Sequence, residues 1–572
     1  MAAMTTLGLR RTNGGDARDR ALLAAFAVWV LTLLGLQAGY IHLDPGSLAN
    51  ATILFLVPIL LGFGALLRRS QEGVLPLVAG SACALTIALV LPLFISGNPK
   101  IALVFPLALI GGALAQRFPA ATFATIFVLT GTYGTITAFT GIHADSVTDK
   151  LIDAAWAGLL GRMLLGRQPR RMRPTPAFYL LLGFLIVSII GALTTTPAST
   201  GVQALRLGPL YLSLVLLLGY GAFSDRVLQT LTRAMIAVSA AVAAYATLRW
   251  AIGPAGKEQA LQATEFQRQY NQLAGTGDIK LQGSFPNGNS LGLWCACTIP
   301  FLVAMAVSMR GRWRLLAAGA LPLSAIALFG SAQRAALAGV VAGALTIVVV
   351  HVLSRGFRGP RLGIATAAAL VLVVSGAVVY PAVVDNPEKQ KRYANLLTPS
   401  QDQPFQERLN KWRSALDEIA REPLGHGLGA GNPNSIGHRF EDIAYYVIDN
   451  SYLMIAYDQG LMVMLLFILV LVVLLVELLR FAIWTRGPNA AALATAGAGT
   501  LVAMGVEFMA ANYVVVPVIV AGWLVVGLGV AQFGSPRRED AVRERRRPRN
   551  AQRVGRVRNR EALAHAMRGG GA

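Results

Sequence analysis

Apolar runs of roughly 20 residues, divided by short polar turns, recur along nearly the whole chain, and a helix of that length crosses about 30 Å of hydrocarbon. They fall near 21–40, 48–67, 74–95, 101–116, 119–139, 151–165, 176–195, 208–226, 230–250, 289–309, 313–330, 334–354, 363–382, 459–480, 488–507 and 512–531. The runs at 101–116 and 151–165 are short, and the second carries Asp153 and Arg162. The pattern therefore predicts an all-α integral membrane protein with 12–16 transmembrane helices.

Charge orients the spans. Arg68–Arg69, Arg117, Arg167 with Arg170–Arg171, Arg226, Arg310 with Arg312 and Arg314, Arg355 with Arg358 and Arg361, and Arg480 with Arg486 all fall on one face of the alternating pattern. By the rule that cytoplasmic loops are rich in Lys and Arg, this face and both termini are cytoplasmic. The expected organisation is a cytoplasmic segment 1–20, a transmembrane bundle 21–382 interrupted by an outward loop 251–288, a large outward loop 383–458, C-terminal spans 459–532 and a tail 533–572. The first apolar run follows Arg10, Arg11, Arg18 and Arg20 and reads as an anchor, not a cleaved leader.

Composition narrows the class. Hydrophobic residues make up 55% of the chain and charged residues only 14%, which excludes a single soluble domain. The net charge of +22 does not point to nucleic acid, because the tail alone holds twelve arginines against four acids. That tail is poor in apolar residues, predicts disorder and suits anionic lipid. Cys83, Cys295 and Cys297 lie in apolar runs with no metal or disulfide spacing. No phosphate-binding loop, dinucleotide fingerprint or HExxH is present, so any chemistry belongs to the outer face.

Two outward loops carry elements of their own. Residues 257–273 predict a short surface helix. In 405–422, Phe405, Leu409, Trp412, Leu416 and Ile419 recur at helical spacing, which predicts an amphipathic helix with Trp412 in the headgroup layer.

Polar groups converge on the outer face by topology. They are Arg206; Gly283–Ser284 with Asn287 and Asn289; the tight turn Ser331-Ala332-Gln333-Arg334; and Arg408, His426, His438, Arg439, Glu441, Asp442, Asp449 and Asn450 in the late loop. A guanidinium opening a span is costly unless paired or wetted, so Arg334 either snorkels to headgroups or binds an anion. Arginine's planar fork suits a lipid-linked diphosphate and stabilises charge growing on such a leaving group. Transfer to a hydroxyl also needs a base. Asp449, at the boundary between loop and membrane, is the candidate, with a helix cap as its alternative role. Glycines 425, 427, 429 and 431 offer close backbone approach to a ligand.

These residues carry a resemblance. The order Gly-x-Phe-x-x-x-Asn at 283–289, Ser-Ala-Gln-Arg at 331–334, Arg408 with Trp412, Pro-Leu-Gly-His-Gly-Leu-Gly at 423–429 and Asp-Asn-Ser-Tyr-Leu at 449–453 resembles the bacterial O-antigen ligase and polysaccharide polymerase superfamily. The likeness spans roughly 180–530 and is strongest at 331–460. It implies a fold like the membrane-embedded C-type glycosyltransferases, set in the bacterial inner membrane. Its donor would be an undecaprenyl-diphosphate-linked oligosaccharide, its acceptor a glycan, and its active face the periplasmic one, with no cofactor and no metal. Polysaccharide export or chain-length proteins are the partners it implies.

The superfamily's arginines correspond to Arg334, Arg206 and Arg408. Arg334 and Arg408 form with Asp449 the implied catalytic set, and Arg206, Gly283, Asn289, Ser331, His426, His438, Arg439 and Asn450 the implied substrate contacts. The ligases carry histidine before Asn-x-x-Leu, whereas this chain has Asp449, which favours the exopolysaccharide polymerase-like branch. A flippase or transporter and a noncatalytic scaffold are the competing readings.

Overall fold

The computed structural model describes residues 118–140, 174–195, 201, 204–205, 208–221, 223–253, 280–355, 403–430, 448–485, 487–510 and 518–533. These form helices and turns, without a strand among the described residues. In chain order the helices are α1 (Pro119–Thr140), α2 (Pro176–Thr194), α3 (Pro209–Tyr220), α4 (Asp225–Ile252), α5 (Gly288–Ser308) and α6 (Arg312–Gly330). They continue with α7 (Arg334–Arg355), α8 (Gln403–Arg421), α9 (Ser451–Gln459), α10 (Leu461–Trp484), α11 (Pro488–Ala510) and α12 (Ile519–Val530). Eight of them, α1, α2, α4, α5, α6, α7, α10 and α11, are long and apolar enough to cross a membrane. The protein is a multi-pass, all-α membrane helix bundle.

Ten of the predicted runs coincide with these helices; the runs at 21–40, 48–67, 74–95, 101–116, 151–165 and 363–382 lie outside the described residues, as do the surface helix 257–273 and the tail beyond 533. One run is shorter than its hydropathy predicts. The run at 208–226 opens with α3, which starts on Pro209 and stops at Gly221. Its twelve residues rise about 18 Å, well short of a bilayer core. Of the run at 512–531, residues 512–517 lie outside the described residues and α12 covers the described part. Helices α3 and α12 pack together, with Gly219 against Val530 and Gly527 against Leu214 and Leu218, so small residues let the backbones approach.

The core is α5, buried along nearly its whole length and flanked by α6, α7, α11 and α12. Its contact with α11 includes a hydrogen bond from Thr500 Oγ1 to the Cys297 carbonyl at 3.0 Å. Helices α7 and α11 run antiparallel through facing small residues: a Cβ on Gly343 would lie 2.6 Å from the Gly499 carbonyl, and one on Gly339 would lie 2.8 Å from that of Ala503. Four residues back along α7 thus match four forward along α11. One further step sets Glu507 level with Ala335, the residue after Arg334.

The helix ends sort into two layers. At one end α2 closes on Thr195, whose Oγ1 accepts the Leu428 N–H at 2.9 Å, and Leu281 N–H reaches the Gly330 carbonyl at 2.9 Å. The opposite end carries Arg310, Arg312 and Arg314 between α5 and α6, and Arg233 of α4 stacks over Trp313 at 5.9 Å. Within α10, the acid Glu477 has a structural explanation. Thr175 provides no side-chain cap for α2, and Glu477 Oε1 accepts the Ala177 N–H at 3.1 Å instead.

Helix α8 is amphipathic as its spacing predicts, with Phe405, Leu409 and Trp412 half-buried, but Ala415 takes the buried place expected of Leu416. Ala415 and Ile419 are buried while Leu416 is 51% exposed. The face that packs against α9 repeats at 408, 412, 415 and 419, a set that passes over 416. Trp412, expected among headgroups, has its indole Nε1 buried in protein.

The short loop after α8 is clamped onto the junction between α9 and α10. Gly460 caps both helices at φ +94°, and a Cβ there would meet the Leu424 and Pro423 carbonyl oxygens at 2.7 and 2.8 Å. Gly425, at φ +89°, faces it, with a Cβ falling 2.5 Å from Gly460 N. Gly460→Ala should therefore lower stability by about 2 kcal/mol or more, from left-handed strain plus a backbone clash. Thermal unfolding in detergent checks this, and an unchanged midpoint would refute the clamp.

Candidate functional site

The site is assembled where four segments meet at one end of the bundle. The first is the junction of residues 280–292 with the turn 331–334. Ser284 Oγ donates to the Gly131 carbonyl at 2.5 Å, Asn287 caps α5 through the Ser290 N–H at 2.8 Å, and Lys280 Nζ donates to Asn289 Oδ1 at 3.2 Å. Gly283 turns the chain at φ +57°. Ser331 is fully buried and its hydroxyl donates to the Leu328 carbonyl at 2.6 Å. Ala332 has φ +51°, a left-handed conformation found at no other non-glycine among the described residues. This strained turn delivers half-buried Arg334 as the first residue of α7. A cation there opposes the helix dipole, a cost that a bound anion would relieve.

The second and third segments are α8 and the start of α9. Arg408 Nε lies 3.7 Å from Asp449 Oδ2, with the side chains 40% and 27% exposed. The contact is a charge pair longer than a hydrogen bond. Burial holds the Asp449 carboxyl above the usual carboxylate range, against the opposing pull of Arg408 and Lys411. Asn450 is engaged throughout: Oδ1 accepts the N–H groups of Tyr452 (3.0 Å) and Leu453 (3.1 Å), while Nδ2 donates to the Met509 carbonyl at 3.3 Å. The cap of α9 thus belongs to Asn450, which leaves the neighbouring carboxylate of Asp449 free of that task.

The loop 423–430 braces α9 from behind. His426 stacks on Tyr457 with ring centroids 4.1 Å apart, its Nδ1 lies 3.1 Å from the Tyr457 carbonyl, and its Nε2 lies 3.3 Å from Glu422 Oε2. Gly427 N–H donates to the Asp458 carbonyl and Gly429 N–H to Asp458 Oδ2, at 2.9 and 3.0 Å. The glycines 425, 427 and 429 thus bring the backbone close to the protein itself, and Gly431 lies outside the described residues.

The fourth segment is the C-terminal part of α11. Asn450 and Tyr452 bond the carbonyls of Met509 and Gly505, the latter at 3.0 Å, on either side of Glu507. Glu507 is fully buried, interacts electrostatically with Arg408, and has the Gln333 side chain beside it. The structure therefore brings Arg334, Arg408, Asp449 and Asn450 to one end, with Glu507 among them interacting with Arg408 and Gln333. Gly283, Asn289 and Ser331 build the neighbouring junction, and His426 the brace behind. Arg206, His438, Arg439, Glu441 and Asp442 lie outside the described residues. Among the described residues no three of His, Cys, Asp and Glu gather as a metal site.

Glu507, Lys411 and Asp458 were not among the residues expected from the sequence. Glu507 had a signal, as the lone charged residue of the apolar run 488–507. Asp458 had none, since its role depends on the fold of the 423–430 loop.

A multi-span membrane protein with arginines and a partly buried carboxylate gathered at one end is the class that fold and site define. Over residues 319–468 the chain is similar to the O-antigen ligase family. That stretch, from the middle of α6 to the second turn of α10, contains Ser331, Arg334, Arg408, His426, Asp449 and Asn450, and it is narrower than the 180–530 expected from the motifs. No curated protein matches the chain.

Proposed function

We propose that the protein transfers a glycosyl group from an undecaprenyl-diphosphate-linked glycan to a glycan hydroxyl, polymerising or ligating a cell-surface polysaccharide. The reaction is placed at the periplasmic face of the bacterial inner membrane, in a bundle of the C-type glycosyltransferase kind with 383–458 as its periplasmic loop. One observation carries the reading. Asp449, with its carboxyl pushed above the usual range, sits beside Arg408 and at the level of Arg334, inside the stretch similar to O-antigen ligases.

Asp449 takes the proton of the acceptor hydroxyl as its oxygen attacks the anomeric carbon. The bond from that carbon to the diphosphate oxygen breaks, and the departing undecaprenyl diphosphate gains negative charge. Arg334 and Arg408 stabilise that charge. Burial makes Asp449 a stronger base than an ordinary carboxylate, while Arg408 and Lys411 keep it available in ionised form. Guanidinium groups do the phosphate work, so no metal is assigned. Aspartate in place of the ligases' histidine favours a polymerase acting on exopolysaccharide. The tail 533–572 is assigned to anionic lipid, and export or chain-length proteins are the expected neighbours.

Transport of the lipid-linked glycan is the second reading, favoured by the short buried helix α3, since half-helices are a transporter device. Purified protein in liposomes, supplied with lipid-linked oligosaccharide in EDTA, separates the two. Longer glycans with released undecaprenyl diphosphate are expected. Movement of intact donor between leaflets without elongation would favour transport. Elongation lost in EDTA and restored by magnesium would overturn metal independence and direct attention to Glu441 and Asp442.

A further inference from the structure

Two acids lie inside the described spans of the C-terminal half, and only one has a use in the mechanism or the packing. Glu477 caps α2. Glu507 is wholly buried in α11, and neither carboxyl oxygen has a partner in hydrogen-bonding geometry among the described residues. A carboxyl buried at membrane depth without donors is costly, and such a group is retained where something must meet it.

Its surroundings are specific. The small-residue register of α7 and α11 sets Glu507 level with the residue after Arg334, and places it on the α11 face shared by Gly499 and Ala503. The Gln333 side chain stands beside it, close enough to interact yet outside ordinary hydrogen-bond geometry. Arg408 of α8, the residue paired with Asp449, also interacts with it electrostatically. Asn450 and Tyr452 fasten α9 to the α11 carbonyls two residues after and two before it. The other titratable groups around this level are Cys295 and Cys297 of α5, Arg334 of α7, Lys411 of α8 and Tyr452 of α9.

We propose that Glu507 is a positioning residue that ties the Gln333–Arg334 turn to Arg408, so that the two arginines meet one diphosphate as a single unit. Gln333 and Arg408 lie on separate elements that have few direct contacts, and α11 is the rigid surface both reach. The carboxyl oxygens accept from the Gln333 amide on one side and the Arg408 guanidinium on the other. The Gln333 contact links the turn to Glu507 already in the free protein, whereas the Arg408 bond closes with donor binding, when Arg408 leaves its long contact with Asp449 and Asp449 is freed to act on the acceptor. The assignment rests on the transfer reading for its consequence, though the linkage of Gln333 to Glu507 does not.

The test uses full-length protein in nanodiscs with Glu507→Leu, which suits an apolar span, and Glu507→Gln, which retains an acceptor. Undecaprenyl diphosphate binding, turnover on lipid-linked oligosaccharide, and thermal stability are each measured. Glu507→Leu should weaken donor binding about tenfold or more, the scale of a lost charge-assisted hydrogen bond, while Glu507→Gln recovers most of it. The unfolding midpoint of Glu507→Leu should be unchanged or higher, because an apolar residue replaces a buried acid. Undiminished donor binding in Glu507→Leu overturns the proposal.

A double-mutant cycle of Gln333→Leu with Glu507→Leu, read by thermal unfolding, tests the linkage without any substrate. Non-additive shifts are expected, and additive shifts overturn it even in a protein that elongates glycan. Non-additive shifts in a protein that neither binds the lipid diphosphate nor elongates glycan would support the linkage and overturn the transfer reading alone.

Discussion

Asp449→Asn is expected to lower turnover by about a hundredfold, the scale of a lost, correctly placed base or charge contact, while leaving donor binding within about twofold. The amide keeps the size and much of the hydrogen-bonding capacity of the acid, and α9 keeps its cap because Asn450 supplies it. Stability should not fall. A carboxyl whose folded pKa lies above its unfolded value costs stability once ionised, so the amide should hold or raise the unfolding midpoint near neutral pH. The wild-type rate should fall as pH drops through the raised pKa of Asp449, since the base is then protonated. Removing the Arg408 charge should move that acid limb to higher pH, because Arg408 favours the ionised form. Elongation assays at matched membrane expression read all of this. Near-normal turnover in Asp449→Asn would end its assignment as base and turn attention to His438.

Arg334→Lys is expected to weaken donor binding by about tenfold or more, although the charge is retained. The ammonium cannot reproduce the two-pronged contact of a guanidinium with phosphate oxygens. Its position adds to the expectation. The turn before it holds Ala332 at φ +51° and Ser331 fully buried, so the start of α7 is not free to shift and bring a shorter donor group closer. Direct binding of undecaprenyl diphosphate, measured beside turnover, distinguishes a donor contact from a catalytic one. Unchanged binding and turnover would leave Arg334 as a snorkelling anchor at the headgroup level.

The spans were legible because a bilayer requires long apolar helices, and α5, α7, α10 and α11 begin and end close to where hydropathy places them. The short helix α3 was not. Hydropathy reports that residues 208–226 are apolar, and that is equally true of a half-helix packed inside protein. The Arg408–Asp449 pair unites two residues that the sequence placed on the same face without saying that they touch. Helical spacing in α8 and the short reach from α9 make the contact. Glu507 was missed for a different reason. Attention to loops and span ends overlooks an acid within a span, whose relation to Arg334 appears only through the register of Gly339 and Gly343 against Ala503 and Gly499. His426, a substrate contact by the resemblance, also stacks on Tyr457 and approaches its carbonyl, a packing role that depends on the fold of the 423–430 loop.

The clamp around α9 fixes the chain at two points at once. The backbone before residue 431 is pinned by Asp458, which receives the N–H groups of Gly427 and Gly429. The backbone after residue 447 is pinned by buried Ile448 and by Asn450. One attachment point lies within the nine-residue helix α9 and the other at its N-terminal cap. Asp449 and Arg408 are therefore kept beside each other by α8, α9 and these two fastenings themselves.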